Sequence, residues 1–299
     1  MTIKPRCALV LLAFVAASSP SERVVNGDEP VAVTINGVPA KLTIEPGAPG
    51  LPLVTAAVVQ SAKLKCGGLV CLEVRFGVGR EHVTGSTGGA AIGWDMGKPG
   101  NRRVGWLSNG WAMTGDGVVG PAGLPEDVIR FVLRPSGAGE RTAALPLEGR
   151  AALVGNWGPS RGIITVGGEE ISVRLDPHHP RSLATAAAGA AIARAQGGTL
   201  TAESGRQEVM FGVERPYRVM TLARPLSVGP VALTAIGVRV TDGAGANTIP
   251  QEGDDPSEVV VTGKGKKSPA GLSLGADVLG RCSSIVFDKP AKVVRLSCL

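Results

Sequence analysis

The sequence predicts a mainly β protein made of two similar β-rich lobes related by a pseudo-twofold axis. Short runs of alternating or β-branched residues recur between 43 glycines and 22 prolines, which is typical of strands bounded by turns. One arrangement of strands, turns and an acidic residue occurs twice along the chain. Strand and helix patterns do not alternate as they do in parallel α/β sheets.

The predicted strands share β-branched residues and a boundary of Gly, Pro or Asp. They include VAVTI, AKLTI, LEVRFGV, IRFVLR, GIITV, ISVRL, LTAIGVRV, SSIVF and KVVRLS. One helix is predicted over residues 182–196, with Ser182 as its N-cap and Gly197-Gly198 as its end. Residues 53–62 have a weaker helical pattern.

The repeat relates residues 33–57 to residues 164–187. Each copy predicts a strand, a glycine turn, a second strand, an acid-Pro turn and an Ala-rich helical stretch. Glu45 and Asp176 occupy equivalent positions in the two copies, 131 residues apart. We therefore expect the two acid turns to face each other across a cleft.

A second pair of similar segments follows the first. Residues 116–133 resemble residues 270–287, with a glycine at the matching position of each. Two elements thus occur in the same order in each half. The sequence predicts one lobe over residues 24–160 and a second over residues 161–299.

The amino-terminal segment predicts export. Lys4 and Arg6 precede an apolar run of about 11 residues, too short for the roughly 20 that span a bilayer. Small residues follow it, so we expect cleavage after Ala17 or Ser18, with residues 1–18 as a signal peptide. The mature protein is expected in the periplasm or outside the cell, without stable membrane insertion.

Four cysteines follow the predicted signal peptide, which favours disulfides in an oxidising compartment. Cys282 and Cys298 flank two strand patterns, with Pro290 midway between them. A hairpin centred on Pro290 would place these cysteines opposite each other. Cys66 and Cys71 are expected to close a short loop.

Charge and aromatic content argue against a nucleic-acid partner. The net charge is +6, the basic residues are scattered, and only 3% of residues are aromatic. GDGVVG at 115–120 has the spacing of a dinucleotide fingerprint but is followed by Pro-Ala-Gly, so we expect no cofactor. The adjacent His178 and His179 point to opposite sides of an extended chain, and we expect no metal site.

These ordered elements resemble the retropepsin/pepsin-like aspartic peptidases. TINGVPAKLTIEPGA is similar to the opening segment of that family, and LSLGADVLGRCSSIVFDKPAKVVRLS to its closing segment. Residues 118–120 fit the apolar-Gly stretch that packs behind the first acid turn in the family. The resemblance implies a bilobal fold in which Glu45 and Asp176 form the catalytic dyad.

The chain departs from the Asp-Thr/Ser-Gly triplet of that family. It has Glu45-Pro46-Gly47 in one turn and Asp176-Pro177-His178 in the other. Proline lacks the hydroxyl that locks the two turns and the N–H of an ordinary residue. The dyad needs two carboxyl groups that share one proton over a water, and Glu45 is one methylene longer than Asp.

We therefore expect an exported protein with lost or much reduced catalysis that binds an extended peptide or protein segment in the cleft. An active aspartic endopeptidase using Glu45 and Asp176 is one alternative. A structural envelope module with a closed cleft is another. Each acid alone could also be a turn carboxylate that accepts backbone N–H bonds.

Four residues are predicted to contact the bound segment. Gly47 and His178 stand in the two altered triplets. Trp94 follows the region where the family has a hairpin flap over its cleft, and Tyr217 lies in the corresponding part of the second lobe. Core packing is the alternative for Trp94.

Overall fold

The computed structural model describes residues 20–27, 29–66, 72–78, 81–95, 97–111, 113, 115–148, 157–240, 249 and 270–299. The predicted signal peptide lies outside these residues, as does Cys71. Cys66 is disulfide-bonded. The described chain is mainly β, which confirms the predicted fold class at that level.

The strands run in chain order as follows: β1 (Glu22–Asn26), β2 (Val31–Ile35), β3 (Val38–Ile44), β4 (Leu53–Val54), β5 (Glu73–Val78), β6 (Glu81–Trp94), β7 (Gly100–Leu107), β8 (Gly117–Val119), β9 (Val128–Val132), β10 (Arg141–Pro146), β11 (Gly162–Val166), β12 (Glu169–Leu175), β13 (Leu183–Ala184), β14 (Gly198–Met210), β15 (Val213–Val228), β16 (Val231–Arg239), β17 (Gly271–Leu274), β18 (Cys282–Asp288) and β19 (Val293–Cys298). The helices are α1 (Ala56–Ser61), α2 (Ala186–Gln196) and α3 (Ala276–Leu279), with a 3-10 turn at Pro121–Gly123. None of the helices in the described ranges has the length and apolar character that a membrane crossing requires.

Two seven-stranded sheets have matching strand orders. The first is β2-β3-β8-β4-β7-β6-β5 and the second is β11-β12-β17-β13-β16-β15-β14. In each sheet, the strand before the acid turn pairs in parallel with a short apolar strand, β8 or β17. That apolar strand pairs antiparallel with β4 or β13 on its other side. The first sheet also closes on itself, because β2 pairs with β6.

A five-stranded sheet of order β1-β9-β18-β19-β10 joins the two parts of the chain. Its antiparallel β9–β18 pair places Phe131 opposite Ile285. The Phe131 and Phe287 rings meet edge to face with centroids 6.0 Å apart. Cys282 and Cys298 lie opposite each other on β18 and β19 and form the predicted disulfide.

The largest apolar cluster runs through both seven-stranded sheets and the joining sheet. It includes Ile44 and Val119 from the first sheet, Leu175 and Leu274 from the second, and Phe287 from the third. The strands that lead to the two acids are therefore buried at their carboxyl ends. The burial of these strand ends determines where each acid turn begins.

The predicted N-cap of the long helix is wrong. Residues 183–184 form β13, and α2 begins only after Thr185, whose side chain accepts a hydrogen bond from the Ala188 amide. The Ser182 hydroxyl instead donates to Asp277 at 2.8 Å. The helix ends where predicted, at Gly197 with a φ of 69°, a conformation that suits glycine.

Candidate functional site

The two acid turns are built in the same way. The Glu45 amide donates to the Val119 carbonyl at 3.0 Å, and the Asp176 amide donates to the Leu274 carbonyl at 2.9 Å. In both turns, the amide three residues after the acid donates back to the acid's own carbonyl at 3.2 Å. Parallel pairing with β8 and β17 thus places both acids at the ends of buried strands.

The two turns also lie against each other. A β-carbon added to Gly47 would lie 3.0 Å from the Leu175 carbonyl oxygen and 3.1 Å from Asp176 Cγ. Such distances are tighter than ordinary side-chain contacts, so glycine allows this approach. The structure therefore brings Gly47 of one turn beside the acid of the other.

Asp176 is buried and forms an ion pair with a buried arginine. Its side chain is 8% exposed, and that of Arg174 is 11% exposed. Arg174 Nη2 donates a hydrogen bond to Asp176 Oδ2. Arg174 lies on β12, and Asp176 follows the last residue of that strand. The two residues are two positions apart, so the alternation of an extended chain puts both side chains on one face. A buried carboxylate and guanidinium stabilise each other strongly when paired.

Burial lowers the pKa of Arg174 to about 10, and the nearby Arg161 and Arg239 act in the same direction. The Glu45 carboxylate opposes this change. Because a pKa of about 10 still lies above neutral pH, Arg174 remains charged. It lies close to both acids. Glu45 and Asp176 thus act on one guanidinium.

His179 completes the surroundings of Asp176. Its Nδ1 lies 2.8 Å from Asp176 Oδ2, but the two atoms are not aligned as a hydrogen bond, and this buried Nδ1 has no hydrogen-bond partner among the described residues. Burial, followed by the charge of Arg174, lowers the pKa of His179. A neutral ring is therefore favoured at neutral pH.

Three guanidinium groups, those of Arg161, Arg174 and Arg239, lie close together beside the acid turns, and their charge disfavours a metal ion. Within the described ranges, no group of three or more His, Cys, Asp or Glu side chains is placed to hold one. A bound anion suits the same surroundings better, because guanidinium groups match carboxylates in charge and geometry.

A cavity of about 370 Å³ lies beside Arg174. Its polar lining consists chiefly of Arg161, Arg174, Arg239, His179 and Glu208. Glu45 and Asp176 are not among its lining residues, so the cavity is offset from the two acids towards the second sheet. Its volume is within the roughly 300–1,000 Å³ that small-ligand pockets occupy.

Two hairpins from different sheets line this cavity and contact each other. The β5–β6 hairpin contributes Gly77 and Val78 to the lining, and the β14–β15 hairpin contributes residues 207–210. Arg215 Nη2 donates to the Val78 carbonyl at 2.6 Å. The Phe76 and Phe211 rings pack edge to face with centroids 4.8 Å apart. An apolar contact and a charged hydrogen bond therefore hold the hairpins together.

All four predicted contact residues lie outside the cavity lining. Gly47 lies beside Asp176 instead. His178 is exposed on the outer side of its turn. Trp94 packs against the apolar clusters of the first sheet, which agrees with the core-packing alternative. Tyr217 lies on β15, where the Arg181 guanidinium stands 5.6 Å from its ring centroid.

Sequence reasoning missed the arginines. It named His178 as a contact residue, whereas His179 is the histidine that lines the cavity. The repeat did contain a signal for Arg174. At the offset of 131 residues, Thr43 is the equivalent of Arg174 and Ala48 the equivalent of His179. Charged residues that replace small ones at matched positions next to an acid indicate a change in the chemistry of that acid. Arg161 and Arg239 had no comparable signal.

Comparison of the chain with protein-family models and with curated proteins found no match. Function is therefore inferred from the strand order, the acid turns and the cavity.

Proposed function

We propose that this chain is a two-lobed protein of aspartic-peptidase type that has lost or much reduced peptide hydrolysis and binds an extended peptide or protein segment. Two features support a pseudo-twofold relation between the lobes. The two seven-stranded sheets have matching strand orders, and the backbone groups of both acids make equivalent hydrogen bonds. The acid turns also lie in contact, as a dyad requires.

The ion pair between Arg174 and Asp176 carries the proposal of lost hydrolysis. An acid–base dyad depends on two carboxyl groups close together that cannot both ionise and so share one proton. Here a guanidinium supplies the positive charge that this shared proton would supply. It also occupies Asp176 Oδ2, an oxygen that a water-activating dyad keeps for the proton or the water.

The cavity and the hairpins over it support the binding role. Residues of both hairpins, at 77–78 and 209–210, line the same cavity as Arg174. An extended segment between hairpin backbone and cavity floor can gain main-chain hydrogen bonds and side-chain contacts together. The hairpins would have to separate for such a segment to enter.

A proteolysis assay tests the loss of hydrolysis. The mature protein is incubated with denatured casein from about pH 3 to about pH 7, where acid dyads work, with and without a statine-type inhibitor. We expect no inhibitor-sensitive cleavage at any pH. Inhibitor-sensitive cleavage that disappears in Glu45→Gln and Asp176→Asn would show an active endopeptidase.

The packing of Phe211 favours a second candidate, a structural module with a closed cleft. This side chain is 2% exposed and contacts both Phe76 and Trp111. Hydrogen exchange of the hairpin amides separates the two candidates. Slow exchange that added casein peptides do not alter would favour the structural module, whereas peptide-dependent protection would favour binding.

Export is part of the proposal, and the Cys282–Cys298 disulfide is compatible with it. Amino-terminal sequencing of protein recovered from an exporting host tests this point. We expect the mature chain to begin at Ser18 or Ser19. Recovery of the uncleaved chain inside the cell would contradict export.

A further inference from the structure

Three arginines from separate parts of the chain line the cavity. Arg161 precedes β11, Arg174 is on β12, and Arg239 ends β16. Arg174 and Arg239 are each only 9% exposed. Arg161 and Arg239 lie close enough to Arg174 to lower its pKa. Among the described residues that line the cavity, these three guanidinium groups face one carboxylate, that of Glu208. A partly buried excess of positive charge favours an additional anion.

Two buried nitrogen atoms of this wall have unmet hydrogen-bonding capacity. Arg174 Nε and His179 Nδ1 have no hydrogen-bond partner among the described residues. Both residues line the cavity. A buried polar group without a partner is unfavourable, so a ligand that brings oxygen atoms to this wall would relieve the deficit.

Another part of the lining is apolar. It includes Val78, Leu183, Met210 and Leu272. A cavity of about 370 Å³ is much larger than a carboxylate alone, so the remaining space suits an aliphatic or aromatic side chain. The ligand that fits both parts has an anionic head and an apolar body.

We propose that the cavity binds a peptide carboxylate together with a neighbouring apolar side chain, the carboxylate lying against Arg161, Arg174 and Arg239. This inference rests on the proposed peptide-binding function and names the chemistry that the site selects. The carboxylate can come from the carboxyl terminus of a peptide or from an Asp or Glu side chain.

Affinity capture of a chymotryptic digest of casein tests this inference, because many of its peptides end in an apolar residue. Immobilised mature protein is offered the digest before and after esterification of all carboxyl groups, and retained peptides are identified by mass spectrometry. We expect retention that esterification abolishes. A synthetic copy of the best-retained peptide, with a free or an amidated carboxyl terminus, then distinguishes the two sources of the carboxylate.

Variants of the arginine wall supply the second measurement. Titration of that synthetic peptide by fluorescence anisotropy should show affinity reduced about tenfold or more in Arg161→Gln and in Arg239→Gln, as expected for a charged hydrogen bond. Arg161 is half-buried and is the safer substitution if Arg239→Gln does not fold. Arg194→Gln makes the same charge change at a side chain that is 61% exposed on α2, and should leave the affinity within about twofold.

The outcomes separate the inference from the function on which it rests. Retention that survives esterification, with unchanged affinity in both arginine variants, would overturn the carboxylate inference and leave peptide binding in place. No retention of any peptide would overturn both.

Discussion

The two acid turns share a backbone frame and differ in the side chains that surround the acid. Glu45 follows a strand whose penultimate residue is Thr43, whereas Asp176 follows one with Arg174 at that position. Both acids follow buried strands, and their backbone groups make equivalent hydrogen bonds. The Asp176 carboxylate is ion-paired with that Arg174 guanidinium. A shared frame therefore does not make a symmetric pair of carboxyl groups.

The two parts of the chain also differ in the residues that they contribute to the cavity. Apart from Gly77 and Val78, its lining comes from residues 161–273. His179 lies in this wall, and its counterpart at the offset of 131 residues is Ala48. The second part of the chain thus supplies the charged groups of the cavity lining, and the first part supplies residues of the β5–β6 hairpin.

The largest expected effect comes from removing the guanidinium. Arg174→Met leaves the buried Asp176 carboxylate without its partner and should lower the free energy of unfolding by about 3–5 kcal/mol. The matched change in the other strand, Thr43→Val, removes only a hydroxyl and should cost about 1 kcal/mol. Urea denaturation measures both. Equal effects would contradict the asymmetry between the turns.

The contact between the turns is tested by adding one methyl group. Gly47→Ala must displace the Leu175 carbonyl or the Asp176 carboxylate, and should cost about 1–3 kcal/mol of unfolding free energy. Gly89→Ala on β6 is the control, since nothing lies within 4 Å of its added carbon. A Gly47→Ala variant as stable as the control would mean that the turns are not in contact.

The smallest expected effect concerns pH. The pKa of His179 is lowered from 6.5, chiefly by burial, so below that pH the unfolded chain binds a proton that the folded chain resists. The free energy of unfolding should therefore fall as the pH drops through this range. His179→Gln should flatten this dependence, and His178→Gln, in the same turn but exposed, should retain it. Denaturation curves at several pH values check the slope, and an unchanged slope in His179→Gln would contradict the prediction.

Much of the fold could be predicted because it depends on local patterns. Alternating residues between glycines and prolines indicated the strands, and the positions of Cys282 and Cys298 around Pro290 indicated their disulfide. The cap of α2 was missed because Ser182 and Thr185 are equally suitable cap residues in sequence. The long-range hydrogen bond from the Ser182 hydroxyl to Asp277 engages the Ser182 side chain and leaves Thr185 as the cap.

The site was less predictable than the fold. The repeat indicated Glu45 and Asp176, since matched positions in two copies can be identified from the sequence alone. The cavity wall depends on residues that are distant in sequence, Arg161 and Arg239. No local pattern relates them to an acid turn, because sheet topology alone brings them together.

The most direct test measures the free energy of unfolding of Asp176→Asn at neutral pH, both in the wild-type chain and in Glu45→Gln. It distinguishes an Asp176 carboxylate that is neutralised by Arg174 from one that shares a proton with Glu45. If Arg174 holds Asp176, the substitution removes the carboxylate that is hydrogen-bonded to this buried guanidinium. The free energy of unfolding should then fall by about 3 kcal/mol in the wild-type chain, and by at least as much in Glu45→Gln, which lacks the second acid that acts on Arg174. If the two acids instead form a pair of like charges, Asp176→Asn should stabilise the protein, and Glu45→Gln should abolish that gain.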